Sequence, residues 1–273
     1  MLPGSSCQKI SRRGFLAGSL ALASAPLAGA VPISTPPWLA YGDRLLSRLA
    51  DAGGGDFDCD FAQALLDEAN RFRSVQGLPI LVWDGGLAVT AEAHAADMCA
   101  RGYFQHISPE GFSHGDRVSL LARDFCGQTA ENLAWRFHQT QSTKPSKIQA
   151  MWEASPAHRE NLLNSSFRSV GFGVVRIAGK IYVAGVYGNV AVRLGQALPF
   201  RLRLMADIEG AIATSTPYID SLSLSTPRVR TTSMTRPGQA LPTLSPGVWQ
   251  FRPLRMSGDN RYHIIPGPLF QFG

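Results

Sequence analysis

Ser169-Val170-Gly171-Phe172-Gly173-Val174-Val175-Arg176-Ile177, then Ala178-Gly179, then Lys180-Ile181-Tyr182-Val183-Ala184-Gly185-Val186-Tyr187, is the stretch on which the fold turns. Two runs rich in Val, Ile and Tyr alternate along their length and meet at a short break that contains glycine, which is a hairpin signal. Antiparallel strands are predicted over 169–177 and 180–187, with the last core strand ending near Tyr187.

Upstream of the hairpin the chain reads as helix. Asp56 and Asp58 stand beside an apolar face made by Phe57, Phe61, Leu65, Leu66, Ala69 and Phe72, spaced by three and four residues. Acids at its start suit the helix dipole. Gly77-Leu78-Pro79 ends this helix, and Ile80–Trp83 is a short extended stretch leading to Asp84, a good N-cap for a second helix that runs to about Arg101. Ala88, Ala91, Ala93, Ala95, Ala96 and Ala100 favour helix there and let a neighbouring backbone approach closely; Gly102 stops it. Lys147–Glu153 reads as a helix with Ile148, Met151 and Trp152 inward, and Ser155-Pro156 opens another through Leu163. Helices first and an antiparallel pair last suggest a layered α+β domain.

Composition bounds the rest. With 273 residues, 45% hydrophobic and 17% charged, the chain can bury one good core and a small second unit. The net charge of +6 sits at the ends: Lys9, Arg12 and Arg13 face no acid in the first thirty residues, and from Asn189 onward nine arginines meet four acids. Residues 31–188 are left at −2, which argues against a nucleic-acid partner.

The N-terminus reads as an export signal. Ser11-Arg12-Arg13-Gly14-Phe15-Leu16 is a twin-arginine pattern, Leu16–Ala30 a moderately apolar run, and Ala28-Gly29-Ala30 a small-residue cleavage site. The run of about fifteen residues is shorter than the ~20 of a membrane-spanning helix, and it holds Pro26. The expectation is a chain exported by the twin-arginine pathway to the periplasm or beyond, released and not an integral membrane protein. Cys7 would leave with the signal, so Cys59, Cys99 and Cys126 remain. One pair, Cys99 with Cys126, and free thiols are both open.

Four regions follow: a signal over 1–30, an N-terminal segment over 31–55 ending in Gly53-Gly54-Gly55 as a linker, the α+β domain over 56–188, and a Pro-, Ser-, Thr- and Arg-rich extension over 189–273. The end of that extension keeps Trp249, Phe251, Tyr262, Ile264, Ile265, Leu269 and Phe270, too apolar for a solvated tail, so part of it is expected to dock as β structure. The domain is expected to fold without it.

Four separated motifs then arrive in order: Phe104-Gln105-His106-Ile107-Ser108-Pro109; Ala130-Glu131-Asn132-Leu133-Ala134; Trp152 with Ser155-Pro156-Ala157-His158-Arg159-Glu160-Asn161-Leu162-Leu163-Asn164; and Val170-Gly171-Phe172-Gly173. Together they resemble a bacterial domain of the CAP superfamily, also called SCP-like, the family of cysteine-rich secretory proteins, antigen 5 and plant pathogenesis-related proteins. The resemblance covers about 57–188 and implies a three-layer α-β-α sandwich.

It also implies a cleft that gathers His106, Glu131 and His158, with Ser108, Asn132 and Trp152 lining it. Two neutral imidazoles and a carboxylate suit zinc or another divalent ion. Ala130 stands where many members have glycine, and Glu153 directly follows Trp152, so a full four-ligand site is not expected. The resemblance implies a binding module for a polar or lipid ligand, from the envelope for example; the alternative is a metal-dependent hydrolase of peptides or envelope material with Glu131 as general base.

Other chemistry is set aside. Gly111-Phe112-Ser113-His114-Gly115 fits the G-x-S-x-G elbow, but Pro109 excludes the central strand that an elbow needs before its serine. Nothing local lowers the pKa of Cys99 or Cys126. His94 and His138 read as surface or half-buried positions. Phosphate loops, dinucleotide fingerprints and CxxC pairs are missing from the sequence.

Overall fold

A computed structural model describes residues 37–137, 143–219, 221–229, 234–236, 239–257 and 261–273. The twin-arginine signal, Cys7 and His138 lie outside the described residues.

The chain begins with α1 (Pro37–Asp51), a 3-10 turn (Ala52–Gly54), the short strand β1 (Asp56–Phe57) and α2 (Cys59–Val75). Asp58 caps α2, accepting from the Phe61 amide. Then come β2 (Val82–Trp83) and α3 (Gly85–Arg101), capped by Asp84 and closed by Gly102 in the left-handed conformation. α4 (His114–Leu121), β3 (Phe125–Phe137), α5 (Pro145–Ala154) and α6 (Pro156–Leu163) follow. β4 (Ser169–Ile177) and β5 (Lys180–Arg193) form the expected hairpin, with Ala178 and Gly179 both at positive φ, the backbone a two-residue turn of this hand requires.

The central sheet has the order β1-β4-β5-β3, with β2 added parallel to β4. Its two faces are the two sides of the alternation. Val170, Phe172 and Val174 pack with Phe61 and Leu65 of α2, Trp152 of α5 and Leu162 of α6. The opposite face sends Val175, Ala184 and Val186 against Leu87, Ala91 and Ala95 of α3 and Val118 of α4. This is the α-β-α sandwich. α3 comes so close that a Cβ on Gly171 would sit 2.0 Å from the Ala88 nitrogen, and one on Gly173 2.2 Å from the Ala91 carbonyl carbon. Alanines on the helix and glycines on the strand together set this spacing.

Gly53, expected in a linker, instead lies in the 3-10 turn against α3, where an added Cβ would meet the Ala96 carbonyl oxygen at 2.1 Å. α1 is likewise seated on the sandwich: Tyr41 and Leu45 are buried with Val89 and Ala93 of α3 and Leu120 and Leu121 of α4.

β5 does not stop near Tyr187; it continues to Arg193 and stays paired with β3 as far as Phe125. Beyond it lie β6 (Arg201–Leu202), α7 (Ala206–Ala213), β7 (Ser221–Ser225), β8 (Gly247–Ser257), β9 (Arg261–Ile264) and β10 (Leu269–Phe272). They make a second sheet, β6-β10-β8-β7, with β9 on β8. Its core, including Leu198, Leu202, Phe251 and Phe270, takes in Cys126 and Val192 of the first sheet. The Gly127 amide donates to the Pro266 carbonyl at 2.9 Å. Arg123, buried in the junction, donates to the carbonyls of Leu198 at 2.7 Å and Pro199 at 3.2 Å. The extension therefore shares core with the sandwich. Among the described residues, Cys59, Cys99 and Cys126 form no disulfide. Among the described residues, no helix is long and apolar enough to cross a membrane.

Candidate functional site

The alternation of β3 decides what faces where. Glu131 points with Leu133 toward α3 and α4, while Asn132 points with Ala134 toward α6.

Glu131 is buried. Its Oε1 accepts from His94 Nδ1 at 2.8 Å and from an Arg117 guanidinium nitrogen at 3.0 Å. Its Oε2 accepts from His106 Nδ1 at 2.9 Å and from the same arginine nitrogen at 3.1 Å. A carboxylate offers about four lone-pair sites; three donor nitrogens are turned to them, the Arg117 nitrogen being shared between both oxygens. Burial by itself would raise the Glu131 pKa, but the Arg117 charge, then His94 and the imidazole hydrogen bonds, hold it well below the ordinary carboxylate value. Arg117 is also buried, and it ties the site to its surroundings through the carbonyls of His106 at 2.8 Å and Phe112 at 3.2 Å and the Tyr41 hydroxyl at 3.5 Å.

His94 sits in the middle of α3. Burial lowers its pKa, against the pull of Glu131. Since an ionised Glu131 can only accept, the hydrogen-bond network assigns the His94 proton to Nδ1. That leaves Nε2, which is buried without a hydrogen-bond partner, bearing a bare lone pair.

The outward side is built by two other imidazoles. His106 comes from the loop after α3, its side chain 50% exposed, with Nδ1 turned in to Glu131 and Nε2 left on the far edge of the ring. His158 comes from α6, its ring centroid 6.4 Å from that of His106, and burial, followed by the neighbouring His106, lowers its pKa. Asn132 is what holds it there: its side-chain amide donates to the His158 carbonyl at 3.0 Å and its oxygen accepts from Asn161 at 2.8 Å.

His106 is thus hydrogen-bonded to Glu131 on one side and has the His158 ring beside it on the other. The three residues expected to line a cleft are all buried structural groups. Ser108 accepts from the Phe112 amide at 3.1 Å; Asn132 braces α6; Trp152 lies in the core, stacked on Phe172 and donating from Nε1 to the Leu133 carbonyl at 2.9 Å. The G-x-S-x-G segment is a capping box in which the Ser113 hydroxyl donates to Asp116 at 2.9 Å, while His114 Nε2 faces the Thr129 carbonyl at 3.0 Å. No nucleophile is built there.

Two residues of the cluster went unrecognised in the sequence. His94 is not the surface or half-buried position its helical context suggests, for it lies within a stretch of α3, Leu87–Met98, that is buried on every side; a helix with no polar face marks its few polar residues as partnered. Arg117 had no comparable signal, because its partner is contributed by β3.

The family model of the cysteine-rich secretory protein family, CAP, matches residues 66–188. These residues form a CAP domain. Two Bacillus subtilis proteins are similar to the chain: the uncharacterized membrane protein YlbC, 36% identical over 112 residues that cover 41% of this chain and 31% of that one, and the uncharacterized protein YkwD, 32% identical over 130 residues that cover 47% and 48%. The chain thus spans less than half the length of either relative. Among solved structures, an extracellular protein containing an SCP domain from Bacillus anthracis is 31% identical, covering 48% of this chain and 40% of that one, with a TM-score of 0.39. An outer surface protein from Borrelia burgdorferi is 19% identical, covering 50% and 98%, with a TM-score of 0.44.

Within this CAP domain the three-residue metal set does not fit its surroundings. A dication on Glu131 would have to displace donors from a saturated carboxylate and sit beside the Arg117 charge. Among the described residues, no three of His, Cys, Asp or Glu are grouped to hold a metal ion. His106 and His158 remain as two nitrogen donors, where zinc sites take three or four protein ligands.

Proposed function

We propose that this chain is an exported CAP-domain binding protein whose His106–His158 face takes the polar headgroup of a lipid or another envelope component and does not turn it over. The observation that carries the reading is the saturation of Glu131. A general base needs a free lone pair and a pKa near the working pH, and the cluster's carboxylate has neither. Its role is to fix the His106 ring, so that Nε2 faces outward as an acceptor when neutral and a donor when protonated. On the same loop Phe104 and Ile107 are 45% and 47% exposed. An imidazole between exposed apolar side chains suits a headgroup with its chain beside it. Export rests on the twin-arginine run.

The test is sedimentation of the full mature chain with phosphatidylglycerol or phosphatidylcholine vesicles. Capture that is lost in the His106→Ala/His158→Ala double variant is expected; capture that is unchanged in that variant, or no capture by either vesicle, contradicts the reading.

A second reading is favoured by one feature. A histidine whose Nδ1 donates to a carboxylate is oriented as metal-binding imidazoles commonly are, so the alternative is hydrolysis at zinc held by His106 and His158, which would need a further ligand from outside this pair. Zinc-dependent turnover of a peptide mixture, abolished by either His106→Ala or His158→Ala, would establish it.

A further inference from the structure

Away from the histidine face, the junction between the CAP domain and the second sheet holds two adjoining cavities, of about 420 and 540 Å³. Ser113, Gly115, Ser119 and Pro266 line both. One wall belongs to the start of α4 and to Thr129 of β3; the other is supplied by the extension through Gln250, Tyr262 and Gly267. The walls are fixed relative to each other by the Gly127–Pro266 hydrogen bond and by Gln250, whose amide donates to the Ser119 hydroxyl at 3.2 Å and to the Gly267 carbonyl at 3.1 Å.

The chemistry of the lining is narrow. It is rich in hydroxyl and amide groups, with Phe125, Phe167 and Tyr262 as ring surfaces. Its formal charges are already engaged: Asp116 accepts from Ser113 and from Arg228 at 3.1 Å, and the Arg252 guanidinium donates to the Gln250 side chain at 2.7 Å and to the Val229 carbonyl at 2.7 Å. Arg252 is the one lysine or arginine among the described lining residues, His114 and His263 being the imidazoles, so the lining offers an anion a single guanidinium already turned to Gln250 and Val229 rather than a basic cluster. A long apolar chain would strand the hydroxyls and amides, at the cost of burying unpaired polar groups. A neutral, hydroxyl-rich ligand satisfies both constraints, since its hydroxyls exchange hydrogen bonds with the polar walls and its C–H faces lie on the rings.

We infer that this junction is a second binding site, separate from the His106–His158 face, for a neutral oligosaccharide segment longer than one sugar unit. The extension serves to complete it, because the CAP domain alone supplies only one wall.

Gly115 provides a direct test. It lines both cavities, and a Cβ there would meet only the Ser113 hydroxyl at 3.7 Å, so the first carbon of a larger side chain is accommodated at the cavity wall. The full chain is titrated by calorimetry with maltohexaose and with the hexamer of N-acetylglucosamine, with the two corresponding monosaccharides and with inorganic phosphate. Saturable one-to-one binding of at least one hexasaccharide is expected, tenfold or more tighter than its monosaccharide and than phosphate. Gly115→Leu and Tyr262→Ala should each weaken it tenfold or more, Gly115→Leu with an unchanged unfolding midpoint, and His106→Ala should bind as wild type does. The inference is overturned if neither hexasaccharide binds saturably, if phosphate binds as tightly, if binding survives both cavity substitutions, or if His106→Ala removes it.

Discussion

One guanidinium nitrogen of Arg117 lies 3.0 and 3.1 Å from the two carboxylate oxygens of Glu131, and both side chains are fully buried. The pair comes from different elements, α4 and β3, and closes one side of a carboxylate whose other contacts are imidazoles. Breaking such a pair from one end leaves an uncompensated buried charge, which commonly costs about 3–5 kcal/mol. Arg117→Met is expected to lower unfolding stability by that order in chemical denaturation, and the Arg117→Met/Glu131→Gln double variant to recover a good part of it. A loss no larger than that of an exposed arginine would show that the pair does not hold the site.

Acid should weaken the fold in two stages. Folded His94 has a lowered pKa, so below its unfolded value of ~6.5 the unfolded chain takes a proton that the native site refuses, and stability falls. His158, also lowered, adds to this stage. Glu131 is held below its unfolded value of ~4.3, so its contribution is present above that pH and lost as pH drops below it. Unfolding free energies measured from about pH 8 to about pH 2 should show both falls, the second only below ~4.3, and His94→Gln should reduce the first. An identical slope between about pH 6.5 and 5 in that variant would contradict the assignment.

The close approach of α3 to β4 makes a sharp steric prediction. Gly173→Ala puts a Cβ 2.2 Å from the Ala91 backbone, where no flexible side chain can yield. Overpacking of this kind typically costs ~1–3 kcal/mol, and the change is expected to reach the upper end of that range. A melting temperature equal to wild type would mean that the helix can retreat from the sheet.

Deletion of 189–273 should not leave an intact sandwich. It removes the last residues of β5, Asn189 to Arg193, uncovers Cys126 and strips Arg123 of the Leu198 and Pro199 carbonyls. The truncated chain is expected to lose cooperative unfolding or to drop sharply in midpoint. Cooperative unfolding at the wild-type midpoint would show that the extension is an independent unit.

What the sequence disclosed was what local chemistry decides. The hairpin turn, the Asp84 cap and the stop at Gly102 each depend on a few neighbouring residues and are where the pattern predicted, whereas Phe57, placed by spacing on the face of α2, lies with Asp56 in β1 because the two pair with β4, and the helix starts only after Asp58. His106, Glu131 and His158 could be grouped only by resemblance, since tens of positions separate them. The buried half of the cluster was not legible: His94 and Arg117 take their meaning from a carboxylate on another element, and Trp152, expected at a cleft, is drawn into the core by Phe172. The end of β5 lies beyond Tyr187 because Ala191, Val192 and Leu194 pack into the core of the second sheet, which the strand's own neighbours in sequence do not reveal.

Binding without turnover depends most heavily on Glu131 being ionised and saturated, and therefore unavailable as a base or as a metal ligand. Carbon-13 NMR of the labelled Glu131 carboxyl, followed through a pH titration with and without zinc, measures that state. The expected result is a carboxylate signal unchanged from pH 8 down to pH 4 and unmoved by zinc. Titration of Glu131 near pH 6 to 7, or a zinc-induced shift of its carboxyl signal with loss of the Arg117 contact, would contradict it.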